Sequence, residues 1–266
     1  MLRPWTCALA AGVAVAGPAI ADEPMVTGVA IYEIGLDPSK SSAVGSVVGS
    51  MRAQVEYVCD AYVTEAELDA EIAGPDGNRV PLKVVSHHRE TTGELAFDVR
   101  TSLANVEVDA ASGTAVKEAE GLAVTLEEPK GDALILPGKV MFPVEMLEAA
   151  IAAAKDGKRF VQYQTFDGTG GGSEVWTVSV LISPPEPVAD EDEALFVEGL
   201  GFGDLAHWRM ALSYFPPGAG EQTPAFSTRM VVYENGFAQA AVYDLGQFAM
   251  KLTLTEFQPI PPKPCE

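Results

Sequence analysis

The sequence predicts an all-β protein, a large open antiparallel meander carrying one or two short helices. Three observations carry that expectation. Apolar residues recur at every second position over long tracts, as on half-buried strands of antiparallel sheet. Residues tolerant of positive φ punctuate those tracts at Asp76-Gly77, Thr92-Gly93, Ser112-Gly113, Lys130-Gly131 and Asn235-Gly236, which is the chemistry of tight hairpins. A single strongly apolar segment breaks the alternation with helical spacing. Together these features predict roughly a dozen or more strands in one meander.

Taken in order, the chain opens on MLRPWTCALAAGVAVAGPAIADEP. Arg3, the apolar stretch from Trp5 to Val15, and Ala19-Ile20-Ala21 before Asp22-Glu23 have the layout of a cleavable secretory signal peptide. The stretch is too short to span a bilayer comfortably. The expected organisation is a signal peptide over residues 1–21, cleaved after Ala21, and one β domain over residues 22–266. Cys7 leaves with the signal, and no cysteine stands at the cleavage point, where a lipoprotein would need one. No second stretch is apolar enough to cross a membrane.

Three tracts show the alternation most clearly. GLAVTLEE sets Leu122, Val124 and Leu126 against Ala123, Thr125 and Glu127. AHWRMALSYF places Trp208, Met210, Leu212 and Tyr214 on one face. FAMKLTLTEF does the same with Phe248, Met250, Leu252 and Leu254, opposite Ala249, Lys251, Thr253 and Thr255. The exception is PVEMLEAAIAAAKDGK. Pro143 in the first turn, Glu145 early, Lys155 late and Gly157 last predict a helix. Met146, Leu147, Ala150, Ile151 and Ala154 give it a sticky stripe. That helix either packs against the sheet or forms a lid over a lipid-sized cavity. The apolar face to which it belongs, for packing or for ligand, is Met146, Leu147 and Ile151 with the alternating residues of the last two tracts.

SPPEPVADEDEALF reads as an acidic surface loop. Its adjacent carboxylates lack the odd-position spacing of a calcium loop. FDGTGGGSEV and GLGFGD miss both the P-loop ending and the third glycine of the dinucleotide pattern, where Ser173 and Asp204 stand. The first reads as a wide hairpin between two strands. His87 and His88 are strand neighbours pointing to opposite faces, His207 is remote, and the His-x-x-Glu spacing from His87 to Glu90 has no second pair. No metal site or cofactor is expected. No Gly-x-Ser-x-Gly or Ser-x-x-Lys nucleophile occurs, so catalysis is not expected either.

The chain has 38 acidic against 17 basic residues and a net charge of −21. That balance opposes binding to nucleic acid and charge-driven adhesion to anionic lipid. In an exported, oxidising compartment the two remaining cysteines, Cys59 and Cys265, are expected to pair rather than stay as independent thiols. Pro259, Pro261, Pro262 and Pro264 pre-extend the tail, so less entropy is lost when it docks.

Four stretches resemble the EipB-type cell-envelope integrity family of alphaproteobacterial periplasmic proteins. They are VVGSMRAQVEYVCD with its Cys59-Asp60 pair, ILPGKVMFPVEMLEAA with Leu136-Pro137, Gly138 and Phe142-Pro143, ALSYF at 211–215, and YENGFAQAAVYDLGQFAMKLTLTEFQPIPPKPC. The order of the parts is kept over nearly the whole mature chain. Ala61-Tyr62 replaces the usual Gly-Trp after the first cysteine, and Asp244-Leu245-Gly246-Gln247-Phe248 departs from the usual hairpin, as in a divergent member. The resemblance implies a β-spiral similar to the half-barrels that carry lipoproteins across the periplasm. It also implies a disulfide from an early strand to the C-terminus and a role in keeping the envelope intact.

Three functions follow as expectations. The first is a non-enzymatic periplasmic protein supporting envelope integrity through protein or lipid contacts, offering a concave apolar face and edge strands to a partner. The second is a periplasmic lipid or lipoprotein carrier with an apolar cavity. The third is an uncharacterised hydrolase built on dispersed carboxylates. The expected state is a monomer or weak dimer.

Overall fold

A computed structural model describes residues 24–40, 43–184, 191–218 and 223–265. The expected signal peptide lies outside the described residues. Eight strands come first: β1 (Gly28–Leu36), β2 (Ser46–Val58), β3 (Ala61–Ala73), β4 (Arg79–Glu90), β5 (Glu94–Leu103), β6 (Val106–Glu118), β7 (Gly121–Glu128) and β8 (Leu134–Pro137). Helix α1 (Pro143–Lys155) follows, then β9 (Phe160–Thr165), β10 (Trp176–Ser183), helix α2 (Glu191–Gly199), β11 (His207–Phe215), β12 (Phe226–Tyr233), β13 (Ala238–Asp244) and β14 (Ala249–Pro259).

All fourteen strands belong to one antiparallel sheet in the order β8-β7-β6-β5-β4-β3-β2-β1-β14-β13-β12-β11-β10-β9. Every neighbour is consecutive in the chain except β1 and β14. The chain therefore meanders outward to β8, crosses through α1 to the far edge at β9, and meanders back until its last strand pairs with its first. The sheet stays open. Among the described residues no ladder joins its edges β8 and β9, and Met141, just beyond β8, forms an isolated parallel bridge with Thr165.

Register aligns the apolar set on one face, the face that carries α1. One row runs Ile182, Met210, Met230, Ala241, Leu252, Ile34, Gly49, Ala70, each residue opposite the next. A second runs Tyr57, Tyr62, Glu90, Leu95, Ala115, Val124, Leu134. With a side-chain period of two, one shift of register would turn either row outward. Gly49 is required by close approach, since a Cβ there would lie 2.2 Å from the Asp69 carbonyl oxygen.

Four of the five expected turns lie between strands, but Ser112-Gly113 does not. Both residues sit inside β6, where the ladder to β7 shifts register and a Cβ on Gly113 would lie 2.2 Å from the Thr125 oxygen. The glycine marks a bulge and a close backbone approach rather than a chain reversal. Two reversals use other residues. Cys59-Asp60 (φ 47° and 61°) and Ala104-Asn105 (φ 53° and 60°) are two-residue connections with both residues left-handed, the pattern of a type I′ hairpin turn.

The acidic stretch read as a loop is corrected from Glu191 onward, where α2 begins. Val197 is buried there against Tyr233 and Phe237, and that apolar contact favours helix over loop. Helix α1 spans the residues its signals predict. The Glu145 carboxylate accepts the Phe142 N–H at 3.1 Å, and Gly157, at φ +75°, ends the helix by donating to the Ala154 carbonyl at 2.9 Å. The glycine-rich stretch connects β9 to β10, which pair as a hairpin.

Candidate functional site

The site is organised around α1, which spans the hollow of the sheet. Met146, Ala150, Ile151, Ala153 and Ala154 pack on Val178, Val180, Ile182, Trp208, Met210, Leu212 and Val232 of β10 to β12, with Leu147 and Tyr214 partly buried beside them. The residue before the helix, Phe142, is fully buried among Leu95, Ala115, Leu122 and Val124 of β5 to β7. One helix thus joins the inner faces of the two meanders. The residues expected to form one apolar face fall into two groups. Met146, Leu147, Ile151, Trp208, Met210, Leu212 and Tyr214 meet under α1, whereas Phe248, Met250, Leu252 and Leu254 pack with Tyr32, Ile34 and Met51 in a separate cluster.

Glu90 anchors the helix to the sheet. Its side chain is 5 % exposed, and its two oxygens accept the backbone N–H groups of Val144 (2.9 Å) and Glu145 (2.8 Å). A carboxylate from β4 therefore satisfies donors that the first turn of any helix leaves unpaired. Burial pushes the Glu90 carboxyl up to about 7, against the pull of those two N–H bonds, with Glu145 raising it further and Lys117 lowering it. Lys117 pairs with Glu145 and lies over the Phe142 ring at 4.5 Å.

The other side of α1 forms one wall of an open groove of about 730 Å³. Tyr57 and Tyr62 make the facing wall, with ring centroids 4.9 Å apart. The Tyr62 hydroxyl donates to the Glu148 carboxylate at 3.2 Å and accepts the Met25 N–H at 2.9 Å. Burial and the Glu148 charge hold that phenol protonated. Asp60, Glu90, Glu145, Glu148 and Glu234 line the groove with a single cation, Lys155, so its field is negative. Sequence reasoning missed Tyr57, Tyr62 and the role of Glu90. The alternation of β2 to β4 placed them on one face, but nothing local shows that this face meets α1.

The remaining candidates have structural partners. His87 is exposed near Glu65, while His88 points inward and its Nε2–H donates to the Asp167 carbonyl at 2.9 Å. Burial lowers the His88 pKa, so the imidazole is held neutral. Glu90 shares the inward face of His88 and not of His87. Among the described residues, no group of three His, Cys, Asp or Glu side chains stands close enough to hold a metal ion. The glycine-rich loop packs over β5 to β7, and its Gly170 and Gly171 N–H groups point at the Asp109 carboxylate, at 3.2 and 3.0 Å. The protein's own carboxylate occupies the place a phosphate would need.

At the rim of the groove, Cys59 and Cys265 form a disulfide with Cα atoms 4.4 Å apart. The tail is also zipped to the β2–β3 turn, since Lys263 N–H donates to the Tyr57 carbonyl (2.8 Å) and Cys59 N–H to the Lys263 carbonyl (3.1 Å). Among the described residues no helix is long and apolar enough to cross a membrane.

A profile of the EipB-like family matches residues 19–261. Among solved structures, the chain is similar to a β-barrel-like protein of a domain of unknown function from Brucella abortus. The TM-score is 0.80 at 22 % identity, over 90 % of this chain and 99 % of that one. No curated protein matches.

Proposed function

The chain belongs to the EipB-like family, and from that premise we propose that it is a non-enzymatic periplasmic protein that supports cell-envelope integrity through contacts with envelope proteins. The observation that supports the mechanism is the packing of α1 on the inner face of the sheet. Helix α1 and the apolar side chains of β10 to β12 occupy the hollow where a carrier would hold an acyl chain, and the groove beside α1 is open and ringed by carboxylates. An acidic, tyrosine-walled surface suits a protein partner better than a lipid tail. Glu90 is the described carboxyl with a raised pKa, yet both its oxygens are committed to the helix, which argues against its use as a catalytic acid. The secretory layout of residues 1–21 and the paired cysteines support an exported, oxidising location.

Deleting the gene and challenging the cells with a membrane-active detergent tests the role. Survival is expected to fall and to be restored by the wild-type gene. Unchanged survival would overturn the envelope role. Native mass spectrometry of the mature protein tests the mechanism, with a bare protein mass expected. A phospholipid or fatty-acid mass that leaves on denaturation would replace protein contact with lipid carriage.

A further inference from the structure

The open seam between β8 and β9 has the features of a docking edge. Beyond β8 the chain meets the end of β9, where Met141 N–H donates to the Gln164 carbonyl (2.8 Å), Phe166 N–H donates to the Met141 carbonyl (3.0 Å) and Gly138 lies against the Gln164 side chain. No ladder joins the two strands. Along β9, alternate residues turn their backbone groups toward β10 or away from it. Arg159 faces β10, since its carbonyl accepts the Ile182 N–H at 2.9 Å, whereas Gln164 faces the seam. By that parity Phe160 and Gln162 also present their N–H and C=O groups to the seam. An opening of about 410 Å³ lies beside them, lined by Lys139, Met141, Gln162, Tyr163, Gln164 and Thr177.

Edge strands are normally guarded by a charge, a proline, a bulge or a covering element. Within its bounds β9 reads FVQYQT and pairs with β10 without a register shift, so it has none of the first three. Its outer surface carries an apolar pair, Phe160 and Leu181, directly opposite each other and 59 % and 55 % exposed. Free backbone donors and acceptors in alternation specify an extended backbone as their complement. Charge specifies more. Lys139 is the only cation or carboxylate lining the opening, and Arg159 immediately precedes β9. Neither forms an ion pair with any described residue, in a chain whose net charge is −21.

We propose that β9 receives an extended segment of a partner protein, bearing a carboxylate side chain, as an added strand in the seam between β8 and β9. The proposal rests on the reading that the protein works through protein contacts, and it names a surface other than the acidic groove beside α1 and the chemistry of the segment it takes.

The test is amide hydrogen exchange on the full oxidised protein with a short peptide alternating valine and glutamate. Exchange at Phe160 and Gln162 is expected to slow about tenfold or more as peptide is added. The same peptide N-methylated at alternate amides, and one with lysine in place of glutamate, are expected to leave those amides unprotected. Gln162→Pro is expected to abolish protection of Phe160, because it removes an N–H that β10 does not use. The N-methylated peptide asks the same question with the protein unaltered, should that variant fold poorly. Unchanged exchange at Phe160 and Gln162, or equal protection by the lysine peptide, overturns the proposal. Protection that rises with protein concentration alone also overturns it, in favour of a second copy. Peptide docking with no envelope phenotype on deletion would sink the functional reading and leave the docking edge standing. A phenotype with a silent edge would do the reverse.

Discussion

Glu90 shows how much one residue can decide. It stands on β4 opposite Tyr62 and Leu95, and it holds the N-terminus of α1 through both oxygens. Its carboxyl rises from 4.5 to about 7, so the native state binds this proton more tightly than the unfolded chain does. The Glu90 contribution to stability is therefore full below pH 4.5 and is lost as pH rises from 4.5 toward 7, by up to about 3 kcal/mol. Urea unfolding of Glu90→Gln across that window is expected to show a flatter pH dependence than the wild type. Glu90→Ala, which strands the Val144 and Glu145 N–H donors, is expected to lose about 1–3 kcal/mol below pH 4.5 and progressively less as pH rises toward 7. Little of this was legible. His87 to Glu90 looked like a weak metal spacing, and only the register of β4 with its neighbours shows that Glu90 faces a helix more than fifty residues later in the chain.

At the scale of elements, helix α1 was readable because its start and stop signals are local: Pro143, Glu145, Lys155 and Gly157. Its position was not, because the same apolar stripe suits a packed helix and a lid. In the structure Ile151, 5 % exposed, packs against β10 to β12. Ile151→Ala is expected to destabilise the protein by about 2–5 kcal/mol, since the interior can collapse only partly around the gap. A denaturant midpoint shift with an unchanged slope would show it. Strands were legible from alternation, and turns less so. Gly113 resembled a turn glycine but serves a bulge, because a close backbone contact and a reversal both select the residue without a Cβ. The Cys59-Asp60 turn was invisible for the opposite reason. Cysteine seldom adopts positive φ, and here the docked tail and the disulfide hold it there.

Across the whole molecule, the chain returns to its beginning. β14 pairs with β1, Ile260 N–H donates to the Thr27 carbonyl at 3.0 Å, and the disulfide joins residues 206 positions apart. A loop of that length restricts the unfolded chain enough to stabilise the fold by up to about 5 kcal/mol. Cys265→Ser is expected to lower the melting temperature of the oxidised protein, and reduction of the wild type to lower it equally. Equal melting temperatures for the variant and the oxidised wild type would show that the backbone pairing of the tail suffices. By itself the sequence determined the β character, the one apolar helix and the likeness to the EipB-type family, because alternation, cap chemistry and motif order are written in neighbouring residues. Only the tertiary structure decided that β1 meets β14, that α1 fills the hollow, that Glu90 faces it, and that the two sheet edges meet at a seam. Those features depend on pairings between residues far apart in the chain. Periodicity states which face of a strand is buried, and says nothing about what buries it.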